Sequence, residues 1–314
     1  AANPGAQYWQ INPVNAQGSR WVESGFWELG LPFHKMLKAD LAGRYDNYST
    51  STGVGYRHYT PQANVVFKPV DQFALRGTFS RGFRVPSFSE TGGQTVGYIN
   101  NSFFNSSGAY QSWAANWAAQ HNNSSYTQPY YVGLNSIGNP NLKPEIATNF
   151  SGGAVIKPLP WTTLSADYYY IKKSNYIMGN PEGQNAGGIT QAYINGETLP
   201  DGITVTPDTA DPAAPNALPR PGLINYSYVN APWMRTDGVQ LGFTASHRLP
   251  GVLHDINWYS KGEMTYVRRF SIALPGGGGV EEFAGTIGPY NTTSASGSPR
   301  WKANWANTFM WRKL

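Results

Sequence analysis

Not one cysteine occurs among the 314 residues, so neither a disulfide framework nor a thiolate metal site is available to the chain. Charge is scarce too, at 13% of residues against 14% aromatic, a balance unusual for a cytosolic enzyme. No stretch approaches about 18 consecutive apolar residues, which excludes a helical membrane span. It does not exclude a barrel. Transmembrane strands expose apolar side chains on one face only, so a mean hydropathy of −0.43 carries no information on that point. The 23 Lys and Arg that make the net charge +5 are scattered, with no run of five or more. That argues against nucleic acid as a partner, because phosphate binding wants a clustered basic stripe.

Catalytic signatures are missing as well. His34, His58, His121, His247 and His254 show neither zincin spacing nor a visible serine partner, and there is no Gly-x-Ser-x-Gly or P-loop string. Gly276 to Gly279 lacks the lysine and the strand-to-helix setting of a phosphate cradle, and reads as a loop tip. Glu281, Glu282, Asp208 and Asp211 are too sparse for a cation site. The chain is therefore expected to be no enzyme and to need no metal and no cofactor. Ala1-Ala-Asn-Pro-Gly-Ala has neither a basic nor an apolar leader region, so a leader was removed or the chain is an internal piece.

What is present is alternation. Leu37, Ala39, Leu41, Gly43 and Tyr45 interleave with Lys38, Asp40, Ala42, Arg44 and Asp46. Phe73, Leu75, Gly77 and Phe79 interleave with Ala74, Arg76, Thr78 and Ser80; Leu164, Ala166, Tyr168 and Tyr170 with Ser165, Asp167 and Tyr169; Val239, Leu241, Phe243 and Ala245 with Gln240, Gly242 and Thr244. Trp301, Ala303, Trp305, Phe309 and Trp311 share a face opposite Lys302, Asn304 and Thr308. Period two over such lengths predicts antiparallel strands with one apolar and one wet face. About nine strands qualify, ten with Gln7 to Val14.

Between them, short junctions carrying Pro or Gly (Leu31-Pro-Phe-His-Lys35, Lys68-Pro-Val-Asp71, Lys157-Pro-Leu-Pro160 and Leu249-Pro-Gly-Val252) alternate with long polar ones at residues 47–57, 85–144, 178–232 and 271–297. One plain rim and one ornate rim is the habit of outer-membrane barrels, although a soluble β-sandwich alternates in the same way. Aromatic residues gather near strand ends, at Trp21, Phe26, Trp27, Tyr168 to Tyr170, Tyr176, Trp258, Tyr259 and Trp301 to Trp311, as interfacial girdles require.

Four segments in order, Phe26-Trp-Glu-Leu-Gly-Leu-Pro32, Ala42-Gly-Arg-Tyr-Asp-Asn-Tyr-Ser49, Arg76-Gly-Thr-Phe-Ser-Arg-Gly-Phe-Arg-Val-Pro86 and Asn139-Pro-Asn-Leu-Lys-Pro-Glu145, resemble the barrel signatures of TonB-dependent outer-membrane receptors. The resemblance runs from about residue 21 to the end. It implies an all-β fold: a partial arc of a plugged, antiparallel transmembrane barrel of about 22 strands. The family's plug domain and energy-coupling box have no counterpart here. Lys313-Leu314 is also not its terminal aromatic residue, so the chain is expected to be a segment of wall.

What the resemblance implies for sites follows residue by residue. Glu145 of the Leu-Lys-Pro-Glu match, and Gln240 where the family carries a second acid, are expected to face the plug. Arg76, Arg81 and Arg84 are expected to be lumen or rim charges, since arginine on a lipid face costs about 2 to 4 kcal/mol. In residues 85–144 the aromatic residues Tyr98, Trp113, Trp117, Tyr126, Tyr130 and Tyr131, amid amides, are candidates for ligand contact by stacking.

The function so implied is energy-coupled uptake of a scarce nutrient, such as an iron-siderophore complex, across the bacterial outer membrane. The partners would be outer-membrane lipid, the receptor's own plug domain and remaining barrel strands, a TonB-type coupling protein and a small-molecule cargo. Two other readings stay open on the residues alone: a secreted all-β carbohydrate-binding or glycoside-hydrolase module, and a passive porin-like wall.

Overall fold

The computed structural model describes residues 16–101, 130–179, 186–200, 202–210, 218–249, 256–286 and 297–311, with five isolated positions between them. The tenth strand expected over Gln7 to Val14 lies outside the described residues. Among the described residues thirteen strands form a single sheet, and nine of them make a wall. In wall order these are β1 Arg20–His34, β2 Leu37–Thr50, β3 Gly55–Val70, β4 Phe73–Arg84, β7 Glu145–Ile156, β8 Thr162–Gly179, β10 Pro221–Arg248, β11 Ile256–Ala273 and β13 Trp301–Trp311. All neighbouring wall strands are antiparallel. The shortest has 11 residues, long enough to cross a bilayer core when tilted.

The register converts the alternation of each strand into two continuous faces. Leu37, Phe67, Leu75, Ala154, Ala166, Leu241, Met264 and Ala303 lie side by side across eight strands. Two residues along, Phe73, Ile156, Leu164, Phe243, Gly262 and Trp305 form the next row of the same face. The opposite face carries Arg76, Gly153, Asp167, Gln240, Thr265 and Lys302 in one row. The apolar face is not buried by protein: Trp305 keeps 72% of its surface and Phe309 62%. Aromatic groups edge it at both ends. Trp161 packs on His247 and Trp258 near the short turns, and Tyr266 stacks on Trp301 near the long connections.

The sheet is not closed. Among the described residues β1 pairs only with β2 and β13 only with β11. Both edge strands run from the long-connection end to the short-turn end. An antiparallel seam between them is therefore impossible, and their outer amides need other strands if the apolar face lies in lipid.

Three expected boundaries are corrected. Residues 47–57 are not a long loop: β2 runs to Thr50 and β3 starts at Gly55, leaving residues 51–54 as the turn. The polar residues 47–50 continue β2 beyond Asp46, with Asn47 donating to Glu23 and accepting from Arg57 on the neighbouring strands. The prolines of the first two short junctions sit inside strands, not turns. Pro32 and Pro69 fall at register shifts of β1 and β3, where a missing amide costs no ladder bond, and the turns are residues 35–36 and 71–72. Finally, residues 178–232 and 85–144 are not wholly loop.

β5 Gln94–Asn101, β6 Tyr130–Ile137 and β9 Ile203–Pro207 pair around the first part of β10 as a cap. In it β6 runs parallel to β10. The helix Ala186–Ile194 covers it, so that Val132, Ala186, Ile189, Ile203 and Ile224 make a dry core. β10 therefore begins within the expected loop, because its first residues answer this cap and its last residues answer the wall. The fourth long junction begins with a 3-10 turn at Pro275–Gly277 and the short β12 Val280–Glu282, which folds back on β11.

Candidate functional site: the junction of wall and cap

The segments Arg76 to Pro86 and Asn139 to Glu145 meet each other in the fold. Arg84 closes β4, Glu145 opens β7, and the two are directly paired in register although 61 positions apart. Arg84 Nε donates to Glu145 Oε2 at 2.9 Å and Nη2 donates to Oε1 at 3.0 Å, the two-pronged geometry that suits a guanidinium and a carboxylate. Glu145 Oε1 also accepts the Ile177 amide at 2.9 Å, and Lys173 Nζ stands 3.9 Å away. With only 3% of its surface exposed, the carboxylate is satisfied within the wall.

Arg84 uses its remaining donors on Glu90, at 3.0 to 3.1 Å. Glu90 is the third residue of the short helix Phe88–Gly92, capped by Ser87: Ser87 Oγ accepts the Glu90 amide, and Glu90 accepts the Ser87 amide at 2.7 Å. Burial raises the Glu90 pKa, but the Arg84 hydrogen bonds and those from Ser87 outweigh it, holding the carboxyl below its ordinary value. Arg20 fastens the same segment from β1. Its Nη2 donates to the Pro86 carbonyl at 2.6 Å and its guanidinium lies 5.0 Å from the Phe88 ring centre.

The Asn139-Pro-Asn-Leu-Lys-Pro-Glu145 segment is pinned from β10. Asn230 Oδ1 accepts the Lys143 amide at 2.8 Å, and its Nδ2 donates to the Lys143 and Asn175 carbonyls. Asn139 Nδ2 donates to the Tyr228 carbonyl, and Leu142 is 3% exposed. The motif thus works as a clasp that returns a long connection to the wall at one position.

Arg76 has its own partner. Its Nε and Nη2 donate to the two Asp167 oxygens at 2.7 and 2.6 Å across the intervening β7. Gly153 of β7 makes this bridge possible, because a Cβ there would overlap the Asp167 carboxylate. Gln240 lies on the same polar face next to Asp167, exposed. Arg81 does not share that face: on the continuous β4–β7 ladder it has the parity of Phe79, opposite to that of Arg76 and Arg84.

Of the aromatic candidates, Tyr131 is 71% exposed on β6, and Tyr98 and Tyr130 belong to β5 and β6 and so to the cap sheet, not to a loop. Trp113, Trp117 and Tyr126 lie outside the described residues. The Arg84–Glu145 pairing went unread because strand neighbours 61 positions apart are invisible to periodicity. The available signal was two opposite charges at the facing ends of consecutive wall strands.

A two-faced antiparallel wall with a polar clasp at one rim defines the class: a membrane-type β-barrel segment. A model of the family "TonB dependent receptor-like, beta-barrel" matches residues 2–314, and the chain belongs to that family. A mutant of the ferric enterobactin receptor PfeA from Pseudomonas aeruginosa is similar in structure, with TM-score 0.51 and 13% identity over 94% of this chain and 31% of that one. The siderophore receptor PirA from Acinetobacter baumannii follows at TM-score 0.49 and 15% identity, over 81% and 29%. The Serratia marcescens hemophore receptor HasR, in complex with its hemophore HasA and heme, is at TM-score 0.48 and 16% identity, over 95% and 42%. This chain thus spans less than half the length of these solved receptors. No curated protein sequence matches it.

Proposed function

We propose that this chain is part of the wall of a bacterial outer-membrane receptor that captures a scarce nutrient, such as an iron-siderophore complex, and imports it with energy from a TonB-type protein. The observation that carries the reading is the pair of apolar rows that cross the wall strands, opposite a face of paired charges. A secreted carbohydrate-binding or hydrolytic module would have to leave those apolar rows in water. Residues 85–144 and 178–232 lie on the extracellular side in this reading, with Tyr131 of the cap offered to cargo. The plug domain and remaining barrel strands complete the lumen. Glu145 is engaged by Arg84 from the wall, so a plug cation reaching it would join an existing network instead of rescuing an unpaired charge.

Uptake decides between receptor and passive wall. A strain lacking the full-length protein should lose import of at least one ferric siderophore under iron limitation and regain it on complementation. Import that persists after the inner-membrane proton gradient is dissipated would leave a porin-like wall as the better reading.

A further inference from the structure

Just beyond the aromatic edge of the apolar face, on the long-connection side, the wall turns cationic. β11 shifts register against β10 there: Asp237 faces Arg269 while Gly238 already faces Val267, so Arg268 is the extra residue of a bulge. Both guanidinium groups gather on one carboxylate. Arg269 Nε donates to Asp237 Oδ1 at 2.8 Å, Arg268 Nη1 reaches Oδ2 at 3.4 Å, and the Tyr168 hydroxyl donates to Oδ2 at 3.3 Å. The Asp237 side chain is fully buried, whereas those of Arg268 and Arg269 keep 56% and 36% of their surface.

One row further out, Arg235 of β10 stands opposite Lys172 of β8. The Arg235 guanidinium lies 5.1 Å from the Trp233 ring centre, and its Nε is buried without a partner among the described residues. On the face that carries Arg235, the acid of β12 is Glu282, taken up by the Ser271 hydroxyl and the amides of Phe270 and Ala284, whereas Glu281 pairs with Ile272 at the opposite parity. Arg268, Arg269, Arg235 and Lys172 therefore outnumber Asp237 and Glu282, the acids near them on this face, both of which are already engaged.

Ladder parity puts Asp237 and Arg235 on the side of Val239, Leu241 and Phe243, the apolar face. Cations on such a face are tolerated only near its boundary, since their cost falls from about 2 to 4 kcal/mol at mid-membrane to about 0 to 1 at the interface. The chemistry that meets an outward guanidinium doublet at that depth is a lipid phosphate, which a planar fork binds through two hydrogen bonds. We propose that Arg268, Arg269, Arg235 and Lys172 form a docking patch for the phosphate groups of a phosphorylated glycolipid in the outer leaflet. The assignment rests on the outer-membrane placement proposed above.

The test uses the full-length protein in nanodiscs of phosphatidylcholine containing diphosphoryl lipid A, with retained lipid counted by mass spectrometry. Arg269 is left in place to keep Asp237 paired. The wild type should retain lipid A over phosphatidylcholine, and K172Q/R235Q/R268Q should retain at least about tenfold less. Lys302→Gln, on the polar face, should leave retention unchanged. Equal retention by the triple variant, an equal loss in the Lys302 variant, or displacement of the lipid by millimolar inorganic phosphate would each overturn the proposal. A protein that fails to enter the nanodisc at all sinks the membrane placement instead, a result distinguishable from insertion without lipid preference.

Discussion

The wall and the cap bury their apolar side chains by opposite means. In the cap, Val132 and Ile224 are fully enclosed and Ile189 is 2% exposed, packed between a small sheet and one helix as in a water-soluble domain. In the wall, Leu241 is 40% exposed and Trp305 72%, with no protein layer against them among the described residues. Apart from the cluster of Met178, Ala231, Ile272 and Phe283 at its long-connection end, the wall has no dry core among the described residues, as befits a surface whose solvent is lipid. The cap stands beyond the apolar rows and must make its own. β10 belongs to both, pairing with β6 and β9 at its start and with β8 and β11 over the rest.

The largest effect should come from reversing the wall's solvent. Leu241→Arg, in a middle row, should cost up to about 4 kcal/mol and abolish heat-modifiable folding in lipid, while Gln240→Arg, one residue away on the polar face, should fold normally. Equal tolerance of both would erase the distinction between the faces. In the cap, Ile224→Ala should cost about 3 kcal/mol through the cavity it leaves. Limited proteolysis should then cut residues 186–220 faster while the wall keeps its electrophoretic shift. A wall that unfolds in step would show that the two regions are one cooperative unit.

The smallest effect concerns the clasp between them. Glu145→Gln removes one of the two carboxylates on Arg84 and should loosen the start of the connection by about 1 to 2 kcal/mol. Acid should act on the other. The folded Glu90 pKa lies below the 4.5 of a free glutamate, so its contribution is complete above about that pH and is lost as pH falls through the lower folded value. Amide exchange at Thr91 and Gly93, which bond to Ser87 and Ser89, should rise over that range before any wall amide changes. Exchange that is flat from pH 6 to 3 would remove Glu90 from the clasp.

How much was legible follows from the same contrast. Period two named the wall strands and their faces. Leu75, Phe243 and Trp305 fall on one side and Arg76, Gln240 and Asn304 on the other, because a side chain's face in a strand depends only on parity. The cap is not legible as strands, since β5, β6 and β9 are short, lie between stretches of Asn, Ser, Pro and Gly, and owe their stability to partners far away in the chain. Ser87-Phe-Ser-Glu90 is a capping box legible in the sequence, which strand periodicity does not reveal.

The sequence by itself determined the barrel class, the two faces and the family, since alternation, strand length and ordered motifs are local properties of the chain. Only the tertiary structure decided that Arg84 holds Glu145, that Arg76 reaches Asp167 over Gly153, and that a bulge turns Arg268 and Arg269 outward on Asp237. Each of these depends on the register between strands, which a strand's own residues do not encode. It emerges when neighbouring ladders are matched and every buried charge must find its counter-charge.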